Sequence, residues 1–195
     1  VDQFSNTWVG ADNAFTRNSV AADVGWAAWG VLEPELADED VCLPEEKPLE
    51  CEYRIARPSI ALIMFGTNDA SYRTPEEYRY DLERIVNLTV SWGVIPVLST
   101  FPNRPDTPAV AAALNQVVRE VAATHHLPLW DYAAALAALP DGGLAWDNLH
   151  PSAPEETDFV AVFNAENLQY GYVVRNLTAL QILDRVWRTV NPPAE

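Results

Sequence analysis

Asp147 and His150 stand three residues apart in Trp146-Asp147-Asn148-Leu149-His150-Pro151-Ser152. On a single turn, a carboxylate at that spacing can accept a hydrogen bond from imidazole Nδ1. That bond fixes the tautomer and leaves Nε2 as a general base. The same spacing also suits an aspartate that caps a turn beside an ordinary surface histidine, so the pair alone leaves both readings open. Asn68, in Gly66-Thr67-Asn68-Asp69, is the second candidate. A neutral amide NH₂ donates to a developing oxyanion without adding net charge, although Asn68-Asp69 by itself also reads as a plain turn. Trp146 adjoins Asp147 and can wall an acyl or sugar pocket, unless it is simply core. Arg104, in a proline-bounded loop, can meet a polar substrate group or merely face solvent. His125 and His126 close a helical pattern, where a cation complements the dipole, and read as structural.

These groups need elements to position them, and from residue 59 onward the pattern is regular. Ser59–Phe65 is a nearly continuous apolar run of strand length, as expected for a strand buried on both faces. A helix follows over Pro75–Trp92, with Thr74 as N-cap, Pro75 at the first helical position, and Glu76 and Glu77 complementing the dipole. Its inner stripe is Leu82, Ile85, Val86 and Thr89, and Gly93 ends it. Val94–Ser99 is a second strand, in which Pro96 predicts irregular pairing. The same grammar then repeats. Thr107 caps and Pro108 opens a helix with Val110, Leu114, Val117, Val118 and Val121 on one face, and Leu127–Trp130 is a short third strand. Tyr132–Leu139 is a short helix stopped by Pro140 and Asp141-Gly142-Gly143. A closing helix runs from about Ala165 to Val190, with Val173, Leu177, Leu180, Leu183 and Trp187 on one side. Strands alternating with helices predict a mostly parallel sheet with helices on both faces. In an open sheet of that kind, ligands bind beyond the carboxyl ends of the strands. The segments after Phe65, Ser99 and Trp130 therefore carry the candidate residues.

Residues 1–58 read differently. Arg17–Ala22 is a candidate short strand and Trp26–Leu32 the opening of a helix. The stretch 33–58 reads as a Cys-bracketed loop insertion in a single domain spanning 1–195, without internal repeats. Cys42 and Cys51 flank the Pro- and Glu-rich segment Leu43–Glu50. Neither cysteine lies in an apolar run, which favours a disulfide over two free thiols. Such a bridge would stabilise by about 2.7 kcal/mol in the loop-entropy view and would point to an oxidising compartment.

Taken together, Ala61–Asp69 resembles the G-x-N-D block of the SGNH (GDSL-type) hydrolases, and Asp147-Asn148-Leu149-His150-Pro151 resembles their D-x-x-H-P block. The two stand in the family's order with two βα units between them, and the resemblance spans about residues 15–190. It implies an ester or acyl hydrolase on a flavodoxin-like, three-layer α/β/α sandwich, with His150 as general base, Asp147 as its orienting partner and Asn68 as an oxyanion donor. The family's glycine block has its best match in Asp23-Val24-Gly25-Trp26. That makes Gly25 a candidate backbone donor to the oxyanion, or merely a chain break between two elements. The family's Gly-Asp-Ser nucleophile block does not occur in this chain. Ser5 follows too short and polar a segment, and Ser19 and Ser152 do not suit the family geometry. The expectation is an upstream strand and serine, with the sheet missing its first strand. The opening on Val1 rather than Met agrees with a removed or preceding piece.

Composition excludes other classes. The chain has 195 residues, enough for a sizeable core, with seven Trp, seven Tyr and six Phe, more core material than disordered chains carry. The net charge of −16, with Lys47 the one lysine and the arginines scattered, excludes nucleic acid as a partner. No run approaches the roughly 18 apolar residues of a membrane span. No cofactor and no metal is expected. A metal-dependent phosphoesterase using Asp69, Asp147 and His150 would need more ligands than three histidines, two of them in a helix tail, supply. The reading is a secreted or cell-surface serine ester hydrolase acting on a small-molecule, carbohydrate or lipid ester. The alternative is a non-catalytic ligand-binding module on the same fold.

Overall fold

The computed structural model describes Asn6, residues 8–13 and residues 16–192. A two-stranded antiparallel ribbon, β1 (Trp8–Val9) and β2 (Asp12–Asn13), precedes the main sheet. That sheet is parallel and three-stranded, in the order β3 (Ile60–Ile63), β4 (Ile95–Ser99), β5 (Leu129–Trp130). Ile60 pairs with Ile95 through to Ile63 with Leu98, and Leu98 then pairs with Leu129. Among the described residues five α-helices accompany it: α1 (Pro48–Ala56), α2 (Pro75–Ser91), α3 (Pro108–Thr124), α4 (Tyr132–Leu136) and α5 (Gly171–Val190).

The period-two alternation of the strands separates two hydrophobic clusters. Ile63, Leu98 and the partly buried Leu129 face α1, α2 and α3 together with the 3₁₀ turn Ala28–Leu32. Ile60, Val97 and Trp130 face α4 and α5. The result is the expected three-layer α/β/α arrangement. Its two crossover helices lie on one side because β3, β4 and β5 are added in one direction and right-handed crossovers keep to one face. Thr74 caps α2 as expected: its Oγ1 accepts from Glu77 N at 3.2 Å, and Glu77 reaches back to Thr74 N at 2.9 Å. The expected inner stripe of α2 is buried throughout and that of α3 except at the half-buried Val110, each fully buried large aliphatic side chain contributing about 1.5–3 kcal/mol.

Several expectations fail for identifiable reasons. Arg17–Ala22 is not a strand, because Arg17 pairs with Glu52 and Val20 N donates to the same carboxylate at 3.0 Å. The stretch 33–58 is not all loop. Residues 48–56 form α1, and Leu49, Cys51 and Tyr53 enter the core. Thr107 does not cap α3; its hydroxyl is buried with no partner. β3 is not buried on both faces: Leu62 is 37% exposed, because the face that α4 and α5 cover is centred on β4 and β5. Pro96 leaves the register intact. Leu98 N donates to Pro128 O and Ile95 N to Ser59 O, so the imide of Pro96 points toward β5 before β5 has begun. The closing helix starts at Gly171, not near 165. Its side toward β4, β5 and α4 is Val174, Ala179, Ile182 and Val186, almost opposite on the helical wheel to Leu177, Leu180, Leu183 and Trp187, while the expected Val173 is itself fully buried. With apolar residues on both sides, period alone does not orient such a helix.

The disulfide forms. Cys42 and Cys51 are bridged, with Cα atoms 5.3 Å apart, tying the acidic loop to the second turn of α1. At the far end of α5, Ile182, Val186 and Val190 share a groove with Ile95, Pro128 and Leu129, at the amino ends of β4 and β5. A 20-residue helix is about 30 Å long. Gly171 therefore lies at the carboxyl edge of the sheet, where an added Cβ would be 2.1 Å from Gly143 O and 3.0 Å from Pro151 Cβ.

Replacing both Cys42 and Cys51 is expected to lower the unfolding free energy by about 2.7 kcal/mol in a urea titration, matched by the wild type under reduction. Gly66 adopts φ +121°, and a Cβ there would lie 2.0 Å from Cε1 of the fully buried Phe101. Gly66→Ala should therefore cost about 2–4 kcal/mol in the same titration.

Candidate active site

The chain leaves β3 through Gly66 into a 3₁₀ turn over Asp69–Ser71. The Asp69 carboxylate is fully buried and holds two separate segments. It accepts from Gly66 N at 3.0 Å and from Ala28 N at 3.1 and 3.2 Å. Burial pushes its carboxyl up from the usual value, against the pull of these backbone N–H groups. Beside it, Asn68 Nδ2 donates to the Trp26 carbonyl at 2.8 Å. One amide hydrogen of Asn68 is thereby fixed and the second is left to donate elsewhere. Gly25 directly precedes Trp26, at φ +79° in open surroundings. The Asp23–Trp26 turn is closed by Trp26 N on Asp23 O at 3.3 Å. Asn68 and the Gly25 block are thus brought together at the tip of β3.

The second group comes from a hairpin-like loop. Leu144 bridges Pro151, Ala145 N donates to His150 O at 2.8 Å, and Asn148 turns the chain at φ +58°. Asp147 Oδ1 accepts from the backbone N–H of Leu149 and of His150, both at 3.0 Å. Its Oδ2 lies 2.7 Å from His150 Nδ1. One oxygen of Asp147 therefore caps the turn while the other binds the imidazole. The His150 hydrogen bond and the two N–H groups pull the Asp147 pKa down to about 2. At neutral pH Asp147 is acceptor only, so Nδ1 carries the proton and Nε2 keeps its lone pair in the neutral ring. The His150 side chain is 63% exposed, open to a substrate. Pro151 beside Gly171 puts this loop on the carboxyl edge, the same edge as Asn68.

The remaining expected residues are placed differently. Arg104 is buried rather than presented to a ligand. Its Nε and Nη2 bind Asp106 at 2.8 and 2.5 Å, and its Nη1 binds Thr67 O at 2.5 Å and Ser71 Oγ at 3.3 Å. It braces the carbonyl next to Asn68. Trp146 is 94% exposed, so it is not a core residue. Ser152 accepts from Gly171 N at 2.9 Å and donates to Gly143 O at 3.2 Å, a structural role. Ser19 Oγ accepts from Ala21 N, and Ser5 lies outside the described residues. The phosphoesterase set is not assembled, because backbone N–H groups occupy both oxygens of Asp69. Among the described residues, the one cluster of potential metal ligands is Cys42, Glu46 and Cys51, whose sulfurs are joined to each other.

Sequence reasoning did not find the supports of the β3 tip. Phe101 fills the space Gly66 leaves, and the Asn115 side chain accepts from Phe101 N at 2.9 Å and donates to Phe101 O at 3.0 Å. Asn115 lies inside an otherwise apolar helix face, which is the one signal that could have marked it.

Comparison with known proteins gives a family and a fold. The family model of the GDSL-like lipases and acylhydrolases matches residues 7–154, a span that includes both Asn68 and the Asp147–His150 couple. A search of curated proteins finds no match. Among solved structures, an acetyl esterase mutant with bound acetate superposes with a TM-score of 0.57 at 16% identity, over 83% of this chain and 70% of that one. A GDSL-like lipase from Bacteroides thetaiotaomicron gives 0.55 at 15% identity, over 71% and 68%. An acetylxylan esterase from Geobacillus stearothermophilus gives 0.51 at 21% identity, over 67% and 62%. At these identities the likeness is one of fold. The family match covers most of the sequence, and the chain belongs to the GDSL-like lipase/acylhydrolase family.

Proposed function

We propose that the protein is a serine ester hydrolase in which Asp147 orients His150 and His150 Nε2 is the general base. The observation that carries this reading is the 2.7 Å contact between Asp147 Oδ2 and His150 Nδ1 on an exposed loop. The hydroxyl comes from a serine outside the described residues. As its oxygen bonds to the ester carbonyl carbon, its proton passes to Nε2. The resulting oxyanion is met by the free hydrogen of the Asn68 amide and by the Gly25 backbone N–H, which has no acceptor of its own among the described residues. Collapse of the tetrahedral species breaks the ester bond and returns the proton from Nε2 to the leaving alcohol. Water then repeats the sequence on the acyl-enzyme and releases the acid. Neutral donors suit a site in which the neighbouring carboxylate is already ionised.

The substrate is a small carbohydrate or lipid ester, with Trp146 at the rim beside the base. The family match supports ester chemistry in general, and its acetyl esterase fold relatives make acetyl groups the first to test. No helix among the described residues is long and apolar enough to cross a membrane. The Cys42–Cys51 bridge supports a secreted or cell-surface location.

Hydrolysis of p-nitrophenyl acetate by the native protein is the direct test. His150→Ala should lower kcat/KM by about 10²–10⁴ and Asn68→Ala by about 10²–10³. Activity that survives His150→Ala would overturn the mechanism, and an inactive wild type that still binds acetylated ligands would make the chain a binding module.

Acid stability gives an independent check on the couple. Asp147 titrates near 2 in the folded chain instead of near its ordinary 3.8. Its contribution is therefore complete above the unfolded value and is lost as pH falls through about 2. Urea midpoints measured from pH 5 to pH 2 should fall less steeply in Asp147→Asn than in the wild type.

A further inference from the structure

Val24 and Trp146 are the most exposed large hydrophobic side chains among the described residues, at 96% and 94%. Each stands one residue before a proposed site group, Gly25 and Asp147 respectively. Tyr72, 56% exposed, ends the turn that carries Asn68. All three belong to loops at the carboxyl edge of the sheet. Val24 lies two residues from the Trp26 carbonyl that Asn68 holds, and Tyr72 ends the turn that follows β3. Trp146 is in the Leu144–Pro151 loop beside Gly171. Apolar side chains scattered singly over a surface need no explanation. Side chains this exposed, on three loops of one edge and beside the site groups, do need one.

Their protrusion points to the kind of partner. A pocket for a single acyl chain is concave and its lining is partly buried, whereas Val24 and Trp146 project into solvent. Projecting aliphatic and indole groups suit insertion at the headgroup–acyl boundary of a lipid surface, where tryptophan is favoured. A sugar ring could stack on Trp146 but would gain nothing from Val24. Charge selects among lipids. The chain carries −16, which disfavours anionic headgroups. The arginines of the adjoining segments, Arg73 and Arg104, are already paired with Asp81 and Asp106.

We propose that Val24, Tyr72 and Trp146 form an apolar collar that docks the chain on the surface of a neutral or zwitterionic lipid assembly and presents its esters to the Asn68–His150 edge. This deepens the ester-hydrolase reading and takes its purpose from it, while the docking itself is measured without catalysis.

Flotation with vesicles of dialkyl ether phosphatidylcholine, which contain no carboxylic ester to cleave, tests it. The wild type should float with the vesicles. Trp146→Ala and Val24→Ser should each lower the partition coefficient about fivefold or more, and addition of ether phosphatidylglycerol should weaken binding. Val190→Ser, at the opposite edge of the sheet and 51% exposed, should partition like the wild type, as should His150→Ala. A wild type that stays in solution overturns the proposal. So do a Val24/Trp146 double variant that still floats and binding that strengthens with phosphatidylglycerol. Flotation of a protein inactive on p-nitrophenyl acetate would remove the ester-hydrolase reading and leave the docking surface standing.

Discussion

One buried carboxylate holds the candidate site in register. Asp69 accepts N–H groups from Gly66, at the end of β3, and from Ala28, in a segment 41 residues earlier in the chain. A carboxylate without such partners would be costly to bury, and N–H groups without it would be left unsatisfied, so each makes the other tolerable. With those two backbones fixed, Asn68 donates to the Trp26 carbonyl, and its amide points where that bond directs it. Gly25 is then carried to the same corner by chain connectivity. Arg104 adds a brace from the β4 side by gripping the Thr67 carbonyl.

The acid–imidazole couple is built on the opposite principle. Asp147 is held by the local chain alone, through backbone N–H groups within three residues, and its imidazole partner is mostly solvated. Solvent screens such an exposed couple, and its mark on stability is confined to the acid range in which Asp147 titrates. What it contributes is a tautomer. The two halves of the site therefore differ in rigidity, one anchored in the core and one carried on a surface hairpin that closes onto the start of α5.

Much of this architecture was legible wherever local chemistry and tertiary packing agree. Thr74 with Pro75 and Glu77 marks the start of α2 because the cap is satisfied within one turn. The apolar run Ser59–Phe65 marks β3, and the order of strands and helices marks the three layers. Failures cluster where a distant partner decides. Arg17–Ala22 has strand-like residues, but Glu52 takes its donors. α1 hides in a Pro- and Glu-rich stretch because its apolar residues are interleaved with charged ones and one of its anchors is a covalent bridge. α5 is apolar on two sides, so its period is clear while its orientation is not. In the site, Asp147 and His150 could be read because they interact across three residues. The role of Asp69 could not, because its second partner lies 41 residues away.

Asn115 makes α3 more than a covering layer. Its amide holds both polar groups of Phe101 as a neighbouring strand would, and the Phe101 ring fills the place where Gly66 lacks a side chain. Any rotation of α3 is therefore transmitted through that ring to the root of the turn bearing Asn68. Repacking in the middle of this helix would register at the Asn68 amide as a change in donor aim, far from the substituted side chain.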